Sequence, residues 1–313
     1  MMRSHLALVS TAALVAGLGL VGAAASAGAT DGAAVRTHAA PAAVQAKAGT
    51  STTIGQLAPD PAMTSGCTTG SVVQVSTAVT GQYVVPAGGG VVTSWSTSTR
   101  ASGSSGGQVV FWTPAAGDTW AVVAKSTLQP LTPSTVNTFP VRIPVPGGAL
   151  LGLHHSGSQA CVTAAPGNLA AYAAYDPDTA PGPMAPSGSG AYLTNITATI
   201  ESDADGDGYG DVTQDQCPAS AQTQAACVYP DTQVTKKPGK LTFERKPKIK
   251  FKSTVPGSTF MCAIDSNQMK PCSSPFKKKF GYGKHVIKIW AVSLGLTDPK
   301  PAKVKFTVLR PPD

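Results

Sequence analysis

Between residues 51 and 201 the apolar positions come in short runs broken by Gly, Pro and Ser. The runs are "SVVQVST", "GQYVVPAGG", "GVVTSWST", "QVVFWTP", "WAVVAKS", "TFPVRIPV", "ALLGLHH", "ACVTAA" and "YLTNITATI". Many short strands spaced by turns predict a β-sandwich or jelly-roll-like domain over 51–201, with Trp95, Phe111, Trp112 and Trp120 as core candidates. Beyond residue 229 the alternation is stricter. In "KPKIKFKS", Lys246, Lys248, Lys250 and Lys252 take one face while Ile249 and Phe251 take the other. That period of two is a half-buried strand, and "STFMCAI", "KHVIKIWAV" and "AKVKFTVL" continue it. The fold class expected is all-β, with a second, smaller sandwich over 229–313.

The first 50 residues do not fit this pattern. Arg3, the apolar stretch Leu6 to Val21 and Ala25-Ser26-Ala27 have the layout of a secretory signal peptide over 1–27, cleaved after Ala27. Residues 28–50 are Ala-rich and aperiodic, as in a flexible leader. No later run reaches the ~18 apolar residues of a spanning helix. The expectation is a secreted, extracellular chain, with no transmembrane span after cleavage.

Charge changes the picture at the C-terminal end. Only 13% of the chain is charged, and Glu occurs twice, at Glu201 and Glu244. Residues 231–313 nevertheless hold 18 Lys and Arg against 5 Asp and Glu, while the rest holds 6 against 11. A lysine face can be a solvated surface that blocks edge pairing. It can also attract polyanions such as cell-wall polymers, acidic polysaccharide or extracellular DNA, and Lys246, Lys248, Lys250 and Lys252 are the candidates. No aromatic ladder accompanies them, so base stacking on single strands is not supported. An intracellular nucleic-acid partner does not fit an exported chain.

The six cysteines are an even set, as in a disulfide-linked exported protein, and no CxxC pair suggests zinc. Six cysteines allow 15 connectivities. Placement favours one bridge per region: Cys67 with Cys161, Cys217 with Cys227, and Cys262 with Cys272.

The stretch "DADGDGYGD" offers chemistry. Counting Asp203 as one, Asp205 is three, Asp207 five, Gly208 six, the Tyr209 carbonyl seven and Asp211 nine. A hard cation such as Ca2+ takes oxygens in this pattern, with a glycine at six for the sharp turn. Position twelve is Gln214 rather than a bidentate glutamate, and Asp215 comes one residue late. The flanks are a strand and "CPASAQTQAAC", so this is no EF-hand. The run Asp203 to Pro218 resembles a thrombospondin type-3 repeat. That resemblance implies a calcium-binding linker over 202–228 with Asp203, Asp205, Asp207, Tyr209 (by carbonyl), Asp211 and Asp215 as ligands.

Two further resemblances bear on the flanking regions. "PGSTFMCAID", "PCSSPF" and "GKHVIKIWAV" are similar to an Ig-like module common in exported bacterial proteins, which implies Cys262 and Cys272 as its internal pair. "YVVPAGGGVVTSWS" resembles a recurring domain of exported actinobacterial proteins and implies no activity.

A catalytic constellation is not legible. Asp176 and Asp178 lie in the turn-like "YDPDTAP". His154 and His155 are adjacent on a strand and point to opposite faces. "HHSGS" lacks the nucleophile elbow. Asn195-Ile196-Thr197 is a glycosylation sequon, a motif common by chance. The expectation is a non-enzymatic cell-surface or extracellular protein, with a structural calcium site, that adheres to a surface polymer or glycan. The alternatives are a carbohydrate-binding module of a secreted enzyme system and a hydrolase with an unrecognised site.

Overall fold

A computed structural model describes residues 49–58, 65–67, 69–78, 82–100, 106–157 and 159–312, with backbone only for 65–67 and 159–160. The expected signal peptide and nearly all of the leader lie outside the described residues. The described chain is all-β, with 23 strands and no helix among them. None of its elements is a helix long and apolar enough to cross a membrane.

Two large sheets enclose the first core, and a small third one, Tyr192–Thr194, Gln159–Ala164, Ser65–Cys67, adds Cys161 and Val162 to it. One of the two large sheets has the strand order Ser51–Gln56, Ile196–Glu201, Gly90–Ser98, Val136–Val145. The larger runs Gly188–Gly190, Leu169–Ala173, Gly70–Ser76, Leu150–His155, Gly106–Pro114, Trp120–Lys125, with Gln129–Pro130 pairing to Gly106–Pro114. Every pairing in these two sheets is antiparallel. Ile54, Val92, Trp95, Ile196 and Ile200 of the first sheet meet Val72, Val109, Phe111, Leu151 and Leu153 of the second. Alternate residues of each strand supply this layer, as the period-two pattern requires.

The larger sheet is buried on its other face as well. Val73, Val110, Trp112 and Ala171 pack under Met184, Tyr175 and Trp120. The segment after Leu169–Ala173 makes this cover. Met184 and Trp120 exchange backbone hydrogen bonds of 2.7 and 3.0 Å, and Lys125 pairs with Asp178. Burial on both faces explains the unbroken apolar run Val109 to Trp112.

Asn195 is 1% exposed. Its side-chain oxygen accepts from Ala58 N and Ser98 Oγ, each at 2.9 Å, and its amide donates to Ser98 O at 2.8 Å. The sequon residue is thus a core bracket that a glycosyltransferase cannot reach in the folded chain.

A separate core forms beyond residue 229. Thr232–Lys236, Lys248–Ser253 and Phe276–Lys277 make one sheet. Leu241–Thr242, Ala302–Val308, Gly283–Ser293, Thr259–Ile264 and Lys270–Cys272 make the other, with Leu296–Thr297 on Gly283–Ser293. Ile249 and Phe251 from the first sheet meet Ile287, Ile289, Val304 and Phe306 from the second. The Cys262–Cys272 and Cys217–Cys227 disulfides are formed. Cys161 is also disulfide-bonded. The side chain of Cys67, its expected partner, lies outside the described residues.

Candidate metal centre

The aspartate loop starts where Ile196–Glu201 leaves its sheet. Its base is closed by Asp211 N donating to Ser202 O at 2.9 Å and by Ser202 N donating to Thr50 O at 2.8 Å. Gly206 and Gly208 have φ of +77° and +83°, which lets the chain reverse tightly between the carboxylates. Backbone N–H groups then converge on them. Gly206 and Asp207 donate to Asp203 Oδ1 at 2.8 and 3.1 Å, and Gly208 donates to Asp203 Oδ2 at 3.0 Å. Tyr209 N donates to Asp207 Oδ1 at 2.8 Å.

One oxygen each of Asp203, Asp205 and Asp207 lies within 4.8 Å of the others. Two ligands on opposite sides of Ca2+ are separated by about 4.6–5.2 Å, twice the usual bond length, so the three carboxylates match the span of one ion. Two further oxygens point to an ion. Asp205 Oδ2 and Asp215 Oδ2 are buried without a hydrogen-bond partner, and Asp215 as a whole is 3% exposed. Buried carboxylate oxygens are rarely left unpaired unless a cation or water takes them. The pKa values of both residues are raised, first by burial and then by the neighbouring aspartates, Asp207 foremost among them. Such crowding of like charge is what a divalent cation relieves.

The remaining expected ligands play different parts. Asp211 lies outside the three-carboxylate group. Its Oδ2 accepts from Ser202 Oγ at 2.6 Å, and both oxygens lie 3.2 Å from Ala204 N. It therefore braces the loop's entry, and position nine of such loops commonly reaches the ion through water. Tyr209 stays in the loop, its ring under the Arg142 guanidinium at 4.2 Å.

No pattern in the sequence marks Glu201. It is 1% exposed and accepts from Val212 N at 3.0 Å and Thr213 N at 2.8 Å through Oε2. Oε1 takes Thr213 Oγ1 at 2.8 Å and Thr93 Oγ1 at 3.3 Å. It locks the turn that carries Asp211 and Asp215 onto the end of the sandwich. A Cβ on Gly210 would meet Glu201 Oε2 at 2.4 Å, so only glycine allows that approach.

The loop is tied in two other directions. Gln214 Nε2 donates to Val141 O at 2.8 Å, on Val136–Val145. Gln224 Nε2, inside the Cys217–Cys227 ring, donates to Asp207 Oδ2 at 2.8 Å. Ser220 Oγ of that ring donates to Leu294 O in the C-terminal part. A chain of contacts thus runs from the aspartates through the disulfide ring to an exposed turn of the C-terminal part.

The other sequence candidates stand apart. Asp178 N donates to Asp176 Oδ1 at 2.8 Å, a local turn. His154 Nδ1 is 3.1 Å from Ser71 Oγ, and His155 Nδ1 donates to Gly157 O at 3.2 Å. Lys250 and Lys252 are exposed and Lys248 half-buried on Lys248–Ser253, with Ile249 and Phe251 inward; Lys246 is exposed just before it.

No family model and no curated protein matches the chain. Among solved structures, the glycoside hydrolase domain of Endo-D from Streptococcus pneumoniae R6 is similar at 12% identity and a TM-score of 0.20. The match covers 78% of this chain and 32% of that one, so the chain spans about a third of that structure's length. A likeness at this level carries neither fold nor activity across.

Proposed function

We propose that this is an exported, non-enzymatic extracellular or cell-surface protein. In this reading a calcium-bound aspartate loop fixes the linker between two sandwiches, and the basic C-terminal one, an Ig-like module, holds an anionic surface polymer. The observation that carries the metal part is the pair of buried, unpartnered oxygens of Asp205 and Asp215 beside the three-carboxylate group. Asp203, Asp205, Asp207 and Asp215 would hold the ion directly and Asp211 through water. The ion's work is to neutralise the carboxylates and so hold the loop closed. The disulfides fit the oxidising compartment that an exported chain meets. The lysine excess of residues 231–313 supports the anionic polymer as partner.

Without a bidentate glutamate the site is expected to be weak, at roughly 10⁻⁴ to 10⁻³ M, the range of extracellular modules. Mg2+ should compete poorly, because the smaller ion holds its water and demands tight octahedral geometry. Chelation should speed proteolysis between Glu201 and Cys227 while both sandwiches stay folded, and Asp205→Ala should do the same in calcium. Calorimetry at millimolar calcium that shows no binding heat would sink the metal reading.

For the polymer, retention of the chain on heparin is expected to fall steeply between low and physiological salt, since exposed charges are screened beyond about 10 Å at 0.1 M. Retention that ignores salt would mean the lysines do not carry it.

A further inference from the structure

The lysines of the C-terminal part lie on both outer faces of its core. In the smaller sheet, Val234, Ile249, Phe251 and Phe276 pack inward. Lys248, Lys250 and Lys252 therefore point away from the core, and the register sets Lys236 opposite Lys250 and Lys277 opposite Lys248. In the other sheet, Ile287, Ile289, Val304 and Phe306 pack inward. Lys284, Lys288, Lys303 and Lys305 are exposed on the far side, with Lys288 directly opposite Lys303. Among the described residues none of these lysines joins an ion pair.

Edge protection does not account for this arrangement. Lys248–Ser253 is the central strand of its sheet, and Gly283–Ser293 is flanked on both sides by Thr259–Ile264 and Ala302–Val308. Lysines that deter pairing belong on edges. Like charges directly across a strand pair are also destabilising, and three such pairs occur here. An anion laid along each face would relieve them. Same-face lysines recur about every 6.6 Å along a strand and about 4.8 Å across strands, a lattice of point charges suited to a linear polyanion.

We propose that the basic module holds two strands of an anionic polysaccharide, one on each outer face, and so cross-bridges that polymer. The proposal rests on the polymer reading above and adds the second face. Residues 231–313 have 16 Lys and 2 Arg, so charge is offered as points rather than as planar forks. Arg245 and Arg310 both lie over the Tyr282 ring, at 4.6 and 5.7 Å. Trp290 follows Lys288 on the same face, half-buried, opposite Met261. It gives a sugar ring a surface to lie on, whereas a run of bases would need several.

The test uses the full chain and heparin-coated beads at low salt. The wild type is expected to agglutinate them. Lys248→Gln with Lys250→Gln and Lys252→Gln should leave the chain retained on a heparin column, eluting at lower salt, but unable to agglutinate. Lys284→Gln with Lys288→Gln and Lys303→Gln should behave alike, and the combined variant should not be retained. All these positions are on solvent-facing sides of strands, and circular dichroism checks that each variant folds. If one set alone abolishes retention and the other changes nothing, there is a single face; bridging fails and polymer binding stands. If the wild type is not retained, the polymer reading fails as well. Agglutination by a one-face variant would mean the chain bridges through self-association, which overturns the proposal. Equal agglutination of DNA-coated beads of matched charge would overturn the assignment to polysaccharide.

Discussion

Glu201→Ala is expected to destabilise the first sandwich by about 3 kcal/mol, which lowers its melting temperature by about 6–12 °C for a domain of about 150 residues. The Glu201 carboxylate accepts four hydrogen bonds, from Thr93, Val212 and both the amide and hydroxyl of Thr213. Water can reach Val212 and Thr213, which are exposed, so part of the loss is recovered. Thr93 Oγ1 is buried and is left without its acceptor. The second effect is on the aspartate loop. Gln214 N and Asp215 N both donate to Gly210 O at 2.9 Å, so the turn after Asp211 is one unit, and Glu201 holds that unit to the sandwich. Releasing it should weaken calcium binding about tenfold, which equals about 1.4 kcal/mol. Gly210→Ala should give the same pair of effects from the other side, because the added methyl group displaces the Glu201 carboxylate. Thermal unfolding with and without calcium, together with calorimetry, checks both. A variant with unchanged calcium affinity would show that Glu201 serves the sandwich alone.

Glu201 also shows what the sequence hides. The aspartate spacing is local, so a loop template finds Asp203, Asp205, Asp207 and Asp211 without a structure, and the family resemblance adds Asp215. Glu201 acts on Thr93, 108 residues earlier, and no local pattern encodes that pairing. Gln224 is similar, since its bond to Asp207 depends on how the Cys217–Cys227 ring folds back. Among strands, the Ile249/Phe251 alternation was legible because one face is buried and the other wet. Ser51–Gln56 carries no strand pattern in its sequence, because Ile54 is its one buried side chain; pairing with Ile196–Glu201 makes it a strand. The apolar run in "GQYVVPAGG" predicts a strand, and no strand forms over its described residues, 82–89. Tyr83 and Val85 are buried there, but the chain bonds to Ala149 and Leu151 in single links before Pro86 and the glycines turn it. The second buried face of the larger sheet was illegible as well, since its cover, Met184, comes from a Pro-rich segment with no periodicity.

Acid is expected to destabilise the first sandwich well above the pH at which most carboxylates titrate. His155 is 1% exposed and its pKa is lowered to about 4, by burial first, with a smaller push from His154. Its hydrogen bond to Gly157 O resists the shift and does not offset it. His154 is lowered too, again by burial, although Asp176 and Asp178 in the cover segment pull it back. In the unfolded chain both rings return to ordinary histidine values near 6.5. Between that value and about 4 the unfolded state binds more protons than the folded one, so stability falls as pH falls through this window. From pH 7.5 to 4.5 His155 alone should remove about 2 to 3 kcal/mol, a large share of a typical domain's margin. His285 works with the opposite sign. Burial is the largest single effect and opposes its charge, but the 2.6 Å bond to Asp265, the bond to Gly281 O and the Asp265 charge together outweigh it and raise its pKa, so its contribution is present in acid and lost as pH rises past its folded value. It belongs to the C-terminal part, so it is separable by tryptophan fluorescence in a Trp290→Phe background, where the remaining Trp95, Trp112 and Trp120 all report on the first sandwich. Urea unfolding in calcium at several pH values is the measurement. His155→Gln cannot take the proton, so whatever its stability at neutral pH, its loss between pH 7.5 and 4.5 should be smaller than that of the wild type by about the same 2 to 3 kcal/mol. Parallel pH profiles for the two chains would assign the acid lability to other groups.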